Sequence, residues 1–181
     1  LYLWRLDQSL VRLRDDQICS NGKVILPDGD QWQMLDIDSP TQQVVRYGLD
    51  ASNGTLSDAE VVLDLTGEPI FPDGMVAAPD GQSVIIAFYN PNAAAHGVAR
   101  QFDLESGSVI CEWRTAAAPR VTCPLLMEVD DGVKLVLTTA TEGMEDEMFS
   151  QHENSGCLFM GDTEFESAKC DHRLDVLSLV G

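Results

Sequence analysis

Short apolar or alternating segments, separated by turns rich in Gly, Pro and Asp, run along almost the whole chain. The runs Val84–Phe88 and Leu135–Leu137 are continuously apolar, as expected of inner strands covered on both faces. Leu1–Leu6 and Leu10–Leu13 are predicted to pair as a hairpin. Glu142–Gln151 is the best candidate for a helical turn, because acidic residues stabilise the start of a helix. The pattern predicts an all-β fold.

The strands recur in a repeat of about 50 residues. Each copy opens on a short segment, passes through an outer turn that ends in Asp-Gly, and continues into an apolar or alternating strand. The three openers are Ser20-Asn21-Gly22, Pro72-Asp73-Gly74 and Val121-Thr122-Cys123. Strand repeats of this length are typical of propeller blades, in which equivalent residues of successive blades can converge on one central channel.

Composition agrees with a globular domain, since 44% of the residues are hydrophobic and 23% are charged. No apolar run reaches the length of a membrane span, so we expect no membrane partner. Thirty acidic residues against 11 basic ones give a net charge of −19, which disfavours nucleic acid and suits a cation. We therefore expect one domain over residues 1–181.

The five cysteines are odd in number and widely spaced, with no CxxC pair. We interpret Cys19, Cys111, Cys123 and Cys157 as reduced core residues of a cytoplasmic protein.

Among the other conspicuous side chains, the three histidines do not share a repeat position, which argues against a zinc triad. The three tryptophans are expected to pack between blades. These residues are His96, His152, His172, Trp4, Trp32 and Trp113.

Asn21 and Asp73 are the main candidates for chemistry. Asn-Gly and Asp-Gly are strong turn formers, so each residue taken singly is interpreted as part of a turn, as is Asp80 in an outer turn. The repeat, however, places Asn21 and Asp73 at one structural position and on the same rim of the channel. A carboxylate and an amide oxygen are ligands that suit a hard divalent cation such as calcium.

The ordered motifs resemble those of the gluconolactonase, regucalcin and senescence-marker-protein family of six-bladed propellers. Besides the first two openers, they include Asp38-Ser39-Pro40, Asn53-Gly54-Thr55-Leu56-Ser57, Gly97-Val98-Ala99-Arg100, Thr138-Thr139-Ala140 and Ser155-Gly156-Cys157-Leu158-Phe159. The resemblance implies a divalent metal, calcium or zinc, held by Asn21, Asp73 and a Glu that has no counterpart here. It also implies hydrolysis of a small-molecule lactone. Ile25 stands where the family often has an aromatic residue.

Asp73 is the candidate catalytic residue, because a carboxylate can take a proton from the attacking water while it also touches the metal. Tyr89, Asn90 and Thr122 could line the channel mouth and bind substrate, although turn roles fit them at least as well. A propeller that binds calcium or a partner without catalysis is the alternative.

The length of the chain leads to a further expectation. A six-bladed ring needs about 300 residues, so a chain of 181 is expected to contain about three to four blades, with the N-terminal blades missing. Exposed blade faces would then favour association through the missing blades.

Overall fold

The computed structural model describes residues 1–5, 7–57 and 59–168. The strands within them are β1 (Tyr2–Trp4), β2 (Leu10–Arg12), β3 (Ser20–Asp28), β4 (Gln31–Asp38), β5 (Gln43–Asp50), β6 (Thr55–Leu56), β7 (Glu60–Asp64), β8 (Phe71–Ala77), β9 (Ser83–Tyr89), β10 (His96–Asp103), β11 (Val109–Ala116), β12 (Val121–Val129), β13 (Gly132–Thr139) and β14 (Leu158–Asp162). A short helix, α1 (Asp146–Gln151), lies inside the segment predicted to be helical.

The strands form antiparallel sheets that follow the chain order. β1 and β2 pair as the predicted hairpin. The first blade is β3-β4-β5, with β6 and β7 both pairing to β5; the second is β8-β9-β10-β11; the third is β12-β13-β14. The blades begin at the three predicted openers. This all-β arrangement of three blades and a hairpin is the partial propeller expected from the repeat.

Strand β9 explains why one segment of the chain is continuously apolar. Val84, Ile86 and Phe88 join the core between the first and second blades. Ile85 and Ala87 join the core between the second and third blades. Alternate side chains of a strand point to opposite faces of its sheet, so a strand with a blade on each side needs apolar residues at every position.

Strand β13 differs from β9, which corrects the prediction that both runs are covered on both faces. Leu135 and Leu137 are buried in the core against the second blade, whereas Val136 on the other face is only half-buried. Its cross-strand neighbours Leu125 and Met160 are 56% and 64% exposed. One face of the third blade is therefore an exposed apolar surface.

The cysteine interpretation was wrong about burial. Cys19, Cys111, Cys123 and Cys157 are free thiols, and all four are exposed. Trp113 does pack between the second and third blades and donates a 2.8 Å hydrogen bond to the Asp162 carbonyl oxygen. Trp4 and Trp32 are about half exposed, contrary to the expectation of blade packing. Cys170 and His172 lie outside the described residues.

The part of the chain that the structure describes contains no helix with the length and hydrophobicity needed to span a lipid bilayer.

Candidate functional site

Asn21, Asp73 and Thr122 lie at equivalent irregularities of the three inner strands. Between Ser20 and Lys23 the pairing of β3 with β4 gains one extra residue, and the same happens after Pro72 in β8 and after Val121 in β12. Such bulges re-aim a side chain relative to the regular alternation of a strand. The repeated bulge therefore gives these three residues the same place in successive blades.

The glycines after Asn21 and Asp73 are not turn glycines, so the alternative that either residue is simply a turn former does not hold. Gly22 and Gly74 lie inside strands and have no positive φ, whereas Gly29 and Gly81 of the outer turns have φ of 59° and 69°. A Cβ at Gly22 would lie 2.7 Å from the Asp73 carbonyl oxygen. These glycines allow the backbones of adjacent inner strands to approach closely.

Asn21 is held through its amide nitrogen. Its Nδ2 donates to the Ser39 hydroxyl at 2.7 Å and lies 3.6 Å from the Cys19 sulfur. Ser39 in turn donates to the carbonyl oxygen of Pro72, directly before Asp73. Because the nitrogen is engaged, the amide oxygen is the end of Asn21 left to bind a ligand.

Asp73 is a half-buried carboxylate that makes no ion pair or side-chain hydrogen bond with the described residues. Burial raises the pKa of Asp73 to about 6, because desolvation disfavours the charged form. The pKa of Cys123 is also raised, first by partial desolvation of its sulfur, although the residue as a whole is exposed, and then by the negative charge of Asp73. A carboxylate in such a setting is stabilised by a cation or by a proton.

Asn21 and Asp73 border the same open cleft, which has a volume of about 460 Å³. Cys19 and Ser39 line the cleft beside Asn21, and the rings of Phe71 and Tyr89 add an apolar wall. A larger groove between the outer strands of the first two blades is also lined by charged side chains, but it includes neither Asn21 nor Asp73, and its Arg46 and Glu60 pair with each other. The cleft is therefore the better candidate site.

The three weaker candidates have different surroundings. Tyr89 borders the cleft and donates a 3.3 Å hydrogen bond to the Glu142 carbonyl oxygen. Asn90 accepts a hydrogen bond from the Asn92 amide, and the Thr122 and Thr138 hydroxyls bond to each other at 2.7 Å. Those two side chains have structural partners, and a role in substrate binding stays a prediction for all three.

Arg120 packs against Tyr89, which forms part of the cleft wall. It is 4% exposed, and its guanidinium lies 5.4 Å from the centre of the Tyr89 ring. Its Nη2 donates to the carbonyl oxygens of Pro91 and Gly143. Cation–π contact and these two bonds hold Tyr89 against the neighbouring loop.

The polar side chains of the cleft can be compared with the ligands that a divalent cation requires. The described residues contain no cluster of three or more His, Cys, Asp or Glu side chains able to hold a metal. At the inner strands the cleft offers the Asp73 carboxylate and the Asn21 amide oxygen, neither of which has a partner among the described residues. Oxygen ligands of this kind fit calcium, whose shell water molecules can complete. Asn21 and Asp73 therefore fit the cation as two of its ligands.

Reasoning from the sequence missed Ser39, Cys19, Phe71 and Arg120. Ser39 stood in a motif that was noted, but its role depends on a contact with Pro72, 33 positions away. An arginine beside Pro119 gave no signal that it would be buried. Only the repeat itself could have drawn attention to neighbours of Asn21 and Asp73.

Comparison with known proteins adds a family and a fold. The family described as SMP-30/Gluconolactonase/LRE-like region matches residues 1–141. The putative sugar lactone lactonase YvrE of Bacillus subtilis (strain 168) is 30% identical over 164 residues, covering 91% of this chain and 53% of that protein. An uncharacterized protein of Sulfolobus acidocaldarius is 33% identical over 122 residues, or 67% of this chain and 41% of that protein. The chain thus spans about half the length of the curated relatives it matches.

Two solved structures share the fold. Regucalcin of Agrobacterium tumefaciens str. C58, described as a calcium-binding protein, has a TM-score of 0.69 and 24% identity, covering 84% of this chain and 48% of that one. A luciferin-regenerating enzyme has a TM-score of 0.68 and 18% identity, covering 88% of this chain and 50% of that one. At these identities the likeness concerns the propeller fold alone.

Proposed function

Because the chain belongs to the SMP-30/gluconolactonase/LRE-like family, we propose that its cleft hydrolyses a sugar lactone or a related cyclic ester with the help of a divalent cation, calcium or zinc. The observation that carries the proposal is Asp73. Its carboxylate is half-buried, has no side-chain partner among the described residues, and borders the same cleft as Asn21. A putative sugar lactone lactonase among the relatives supports the substrate class.

Asn21 and Asp73 would hold the cation. A bound cation would polarise the lactone carbonyl and stabilise the oxyanion that develops on it. Asn21 is neutral, so it would quench the charge of the ion less than a second carboxylate would. The cation would thus have Asp73 as a charged oxygen ligand and Asn21 as a neutral one, and water molecules would complete its shell.

Asp73 is also the group we assign to proton transfer. Its carboxylate would take a proton from the attacking water, whose oxygen bonds to the carbonyl carbon. The bond between that carbon and the ring oxygen then breaks, and the proton passes to the ring oxygen. The product is the open-chain hydroxy acid.

The walls of the cleft would orient the substrate. Phe71 and Tyr89 offer ring surfaces that can stack on the carbon face of a sugar and exclude water from it. Glu142 borders the same cleft and can accept hydrogen bonds from sugar hydroxyls.

The test compares Asp73→Asn with Asp80→Asn. The chain is stripped of metal with EDTA, calcium or zinc is added back, and hydrolysis of a sugar lactone is followed by acid release. We expect Asp73→Asn to lower kcat by about 100-fold or more, in line with loss of a general base. Asp80 only caps an outer turn, by accepting bonds from the Gln82 and Ser83 amides, so its variant should retain nearly full turnover.

Three outcomes separate the proposals. Equal effects of the two variants would show that Asp73 has no special role. Calcium binding measured by calorimetry without any turnover would support the non-catalytic calcium-binding propeller instead. Turnover that survives EDTA treatment would contradict the requirement for a metal.

A further inference from the structure

Ser39 links the Asn21 side chain to the strand that carries Asp73. It is 7% exposed and begins the short 3-10 turn Ser39–Thr41 that follows β4. Its hydroxyl oxygen lies 2.7 Å from Asn21 Nδ2 in the first blade and 2.6 Å from the Pro72 carbonyl oxygen in the second. A single buried side chain thus spans the two strands that carry Asn21 and Asp73.

We propose that Ser39 is a positioning residue that fixes the Asn21 amide with its oxygen toward the cation and ties it to the strand of Asp73. The inference rests on the proposed function, because it assigns a role toward the same metal. It concerns the orientation of a side chain of this chain, so it can be measured without metal as well.

The donor and acceptor roles of the Ser39 hydroxyl determine the orientation of the Asn21 amide. A carbonyl oxygen can only accept, so the one hydroxyl proton of Ser39 must be donated to Pro72. The Ser39 oxygen then has only lone pairs for Asn21, which must present its NH₂ group. The amide oxygen is therefore directed away from Ser39. Without this serine, the two ends of the amide would be nearly equivalent in shape and free to exchange.

The position of the hydroxyl proton also excludes Ser39 as a nucleophile. A nucleophilic serine needs its proton bound to a base, whereas the Ser39 proton is bound to the Pro72 carbonyl oxygen. The hydroxyl is therefore used to hold main chain and side chain in place.

The turn that carries Ser39 is itself anchored to the second blade. Gln42, which ends the turn, donates through Nε2 to the carbonyl oxygens of Glu68 and Ile70, both at 2.9 Å. Together with the bond to Pro72, these contacts hold three carbonyl groups of the segment leading into Asp73. Ser39 is thus fixed relative to both strands, as a residue that orients a ligand must be.

The first experiment measures binding of calcium to the full chain by titration calorimetry, with zinc as a second probe. Ser39→Ala should weaken binding by about 10- to 100-fold, the usual effect of removing a residue that orients a metal ligand. Ser83→Ala is the matched control. Ser83 is 1% exposed and accepts a 2.8 Å bond from Gln101 Nε2, but it lies in the second blade away from the cleft. Its variant should lose stability without losing affinity.

Ser39→Cys covers the case in which the alanine variant fails to fold. It keeps a side chain of similar size at the site, but its thiol makes only weak hydrogen bonds. We expect it to fold and to bind calcium more weakly than the wild-type chain. Unchanged affinity in a folded Ser39 variant would overturn the inference.

The second experiment needs no metal. The side-chain NH₂ signals of Asn21, assigned by their loss in Asn21→Asp, are recorded by ¹⁵N NMR in the metal-free chain. In the wild type they should be shifted from those of exposed amides and should broaden or move to the exposed-amide position in Ser39→Ala. Identical signals in both would overturn the inference.

The calorimetry and the NMR experiment together distinguish a failure of the proposed function from a failure of the role of Ser39. If the wild-type chain binds neither calcium nor zinc, the proposed function fails, and the Asn21 signals alone decide the role of Ser39. If the wild-type chain binds metal and Asn21→Asp alters binding while Ser39→Ala does not, the proposed function stands and the role of Ser39 is refuted.

Discussion

Gly22 lies directly against the main chain of Asp73. A Cβ added at residue 22 would meet the Asp73 carbonyl oxygen at 2.7 Å and the Met75 Cβ at the same distance. Both obstacles are too close to the backbone to rotate away. Gly22, which follows Asn21, therefore sets how closely the strand that carries Asp73 can approach.

Gly22→Ala should consequently weaken both the fold and the site. We expect a loss of about 1–3 kcal/mol in the free energy of unfolding, the usual effect of overpacking, together with weaker calcium binding. Gly81→Ala is the control, since residue 81 meets nothing within 4 Å and is strained only by its φ of 69°. It should lose stability alone. Denaturant unfolding and calorimetry on both variants check this, and unchanged calcium affinity in Gly22→Ala would contradict the coupling.

Alkylation of Cys19 should block the cleft. The thiol is exposed, borders the cleft, and lies 3.6 Å from Asn21 Nδ2, so an added carboxamidomethyl group would displace Asn21. Because Cys123 lies close to Asp73, the experiment is done in Cys123→Ala, with Cys19→Ala/Cys123→Ala as the control. Iodoacetamide should abolish calcium binding in the first variant and leave it unchanged in the second. Loss of binding in both would assign the effect to another thiol, such as Cys111.

The ion-pair network around Glu112 should make stability depend on pH. Hydrogen bonds from Arg114 and then Arg100, at 2.8 and 2.9 Å, hold the pKa of Glu112 below its usual value. For an acid with a lowered folded-state pKa, the stabilisation is present above the unfolded-state pKa of about 4.3 and is lost as pH falls through the folded-state value.

Glu112→Gln should therefore lower the free energy of unfolding by about 0.5–1 kcal/mol at pH 7, with a smaller difference from wild type at pH 3. Glu105→Gln is the control, because Glu105 makes no ion pair within the described residues. Urea unfolding at the two pH values measures both variants. A difference that grows toward low pH would show that the sign is wrong.

The exposed face of the third blade should drive association. Leu158 and Met160 are 70% and 64% exposed on that face, and apolar surface of this kind promotes contacts between molecules. Met160→Lys should shift the chain toward monomer in light scattering. Ile18→Lys, at a residue that is 80% exposed in a loop, should not. A wild-type chain that is monomeric at high concentration would contradict the prediction of association through this face.

The chain sequence by itself determined the strands, the repeat and the equivalence of Asn21 and Asp73. These features follow from local patterning: apolar alternation sets strands, and Asp-Gly with positive φ sets outer turns at Gly29 and Gly81. A repeat then places like residues at like positions whatever the details of packing. The resemblance to a lactonase family rests on the same ordered motifs.

Tertiary structure decided the rest. Whether the glycine after Asp73 serves a turn or a close approach depends on how near the neighbouring blade comes, which no local pattern encodes. The raised pKa of Asp73 reflects burial by distant segments, and the role of Ser39 reflects a bond to Pro72 in the next blade. Burial of Cys19 and Cys111 was mispredicted for the same reason. Proximity between residues far apart in sequence sets desolvation and hydrogen bonding, and only the folded chain establishes it.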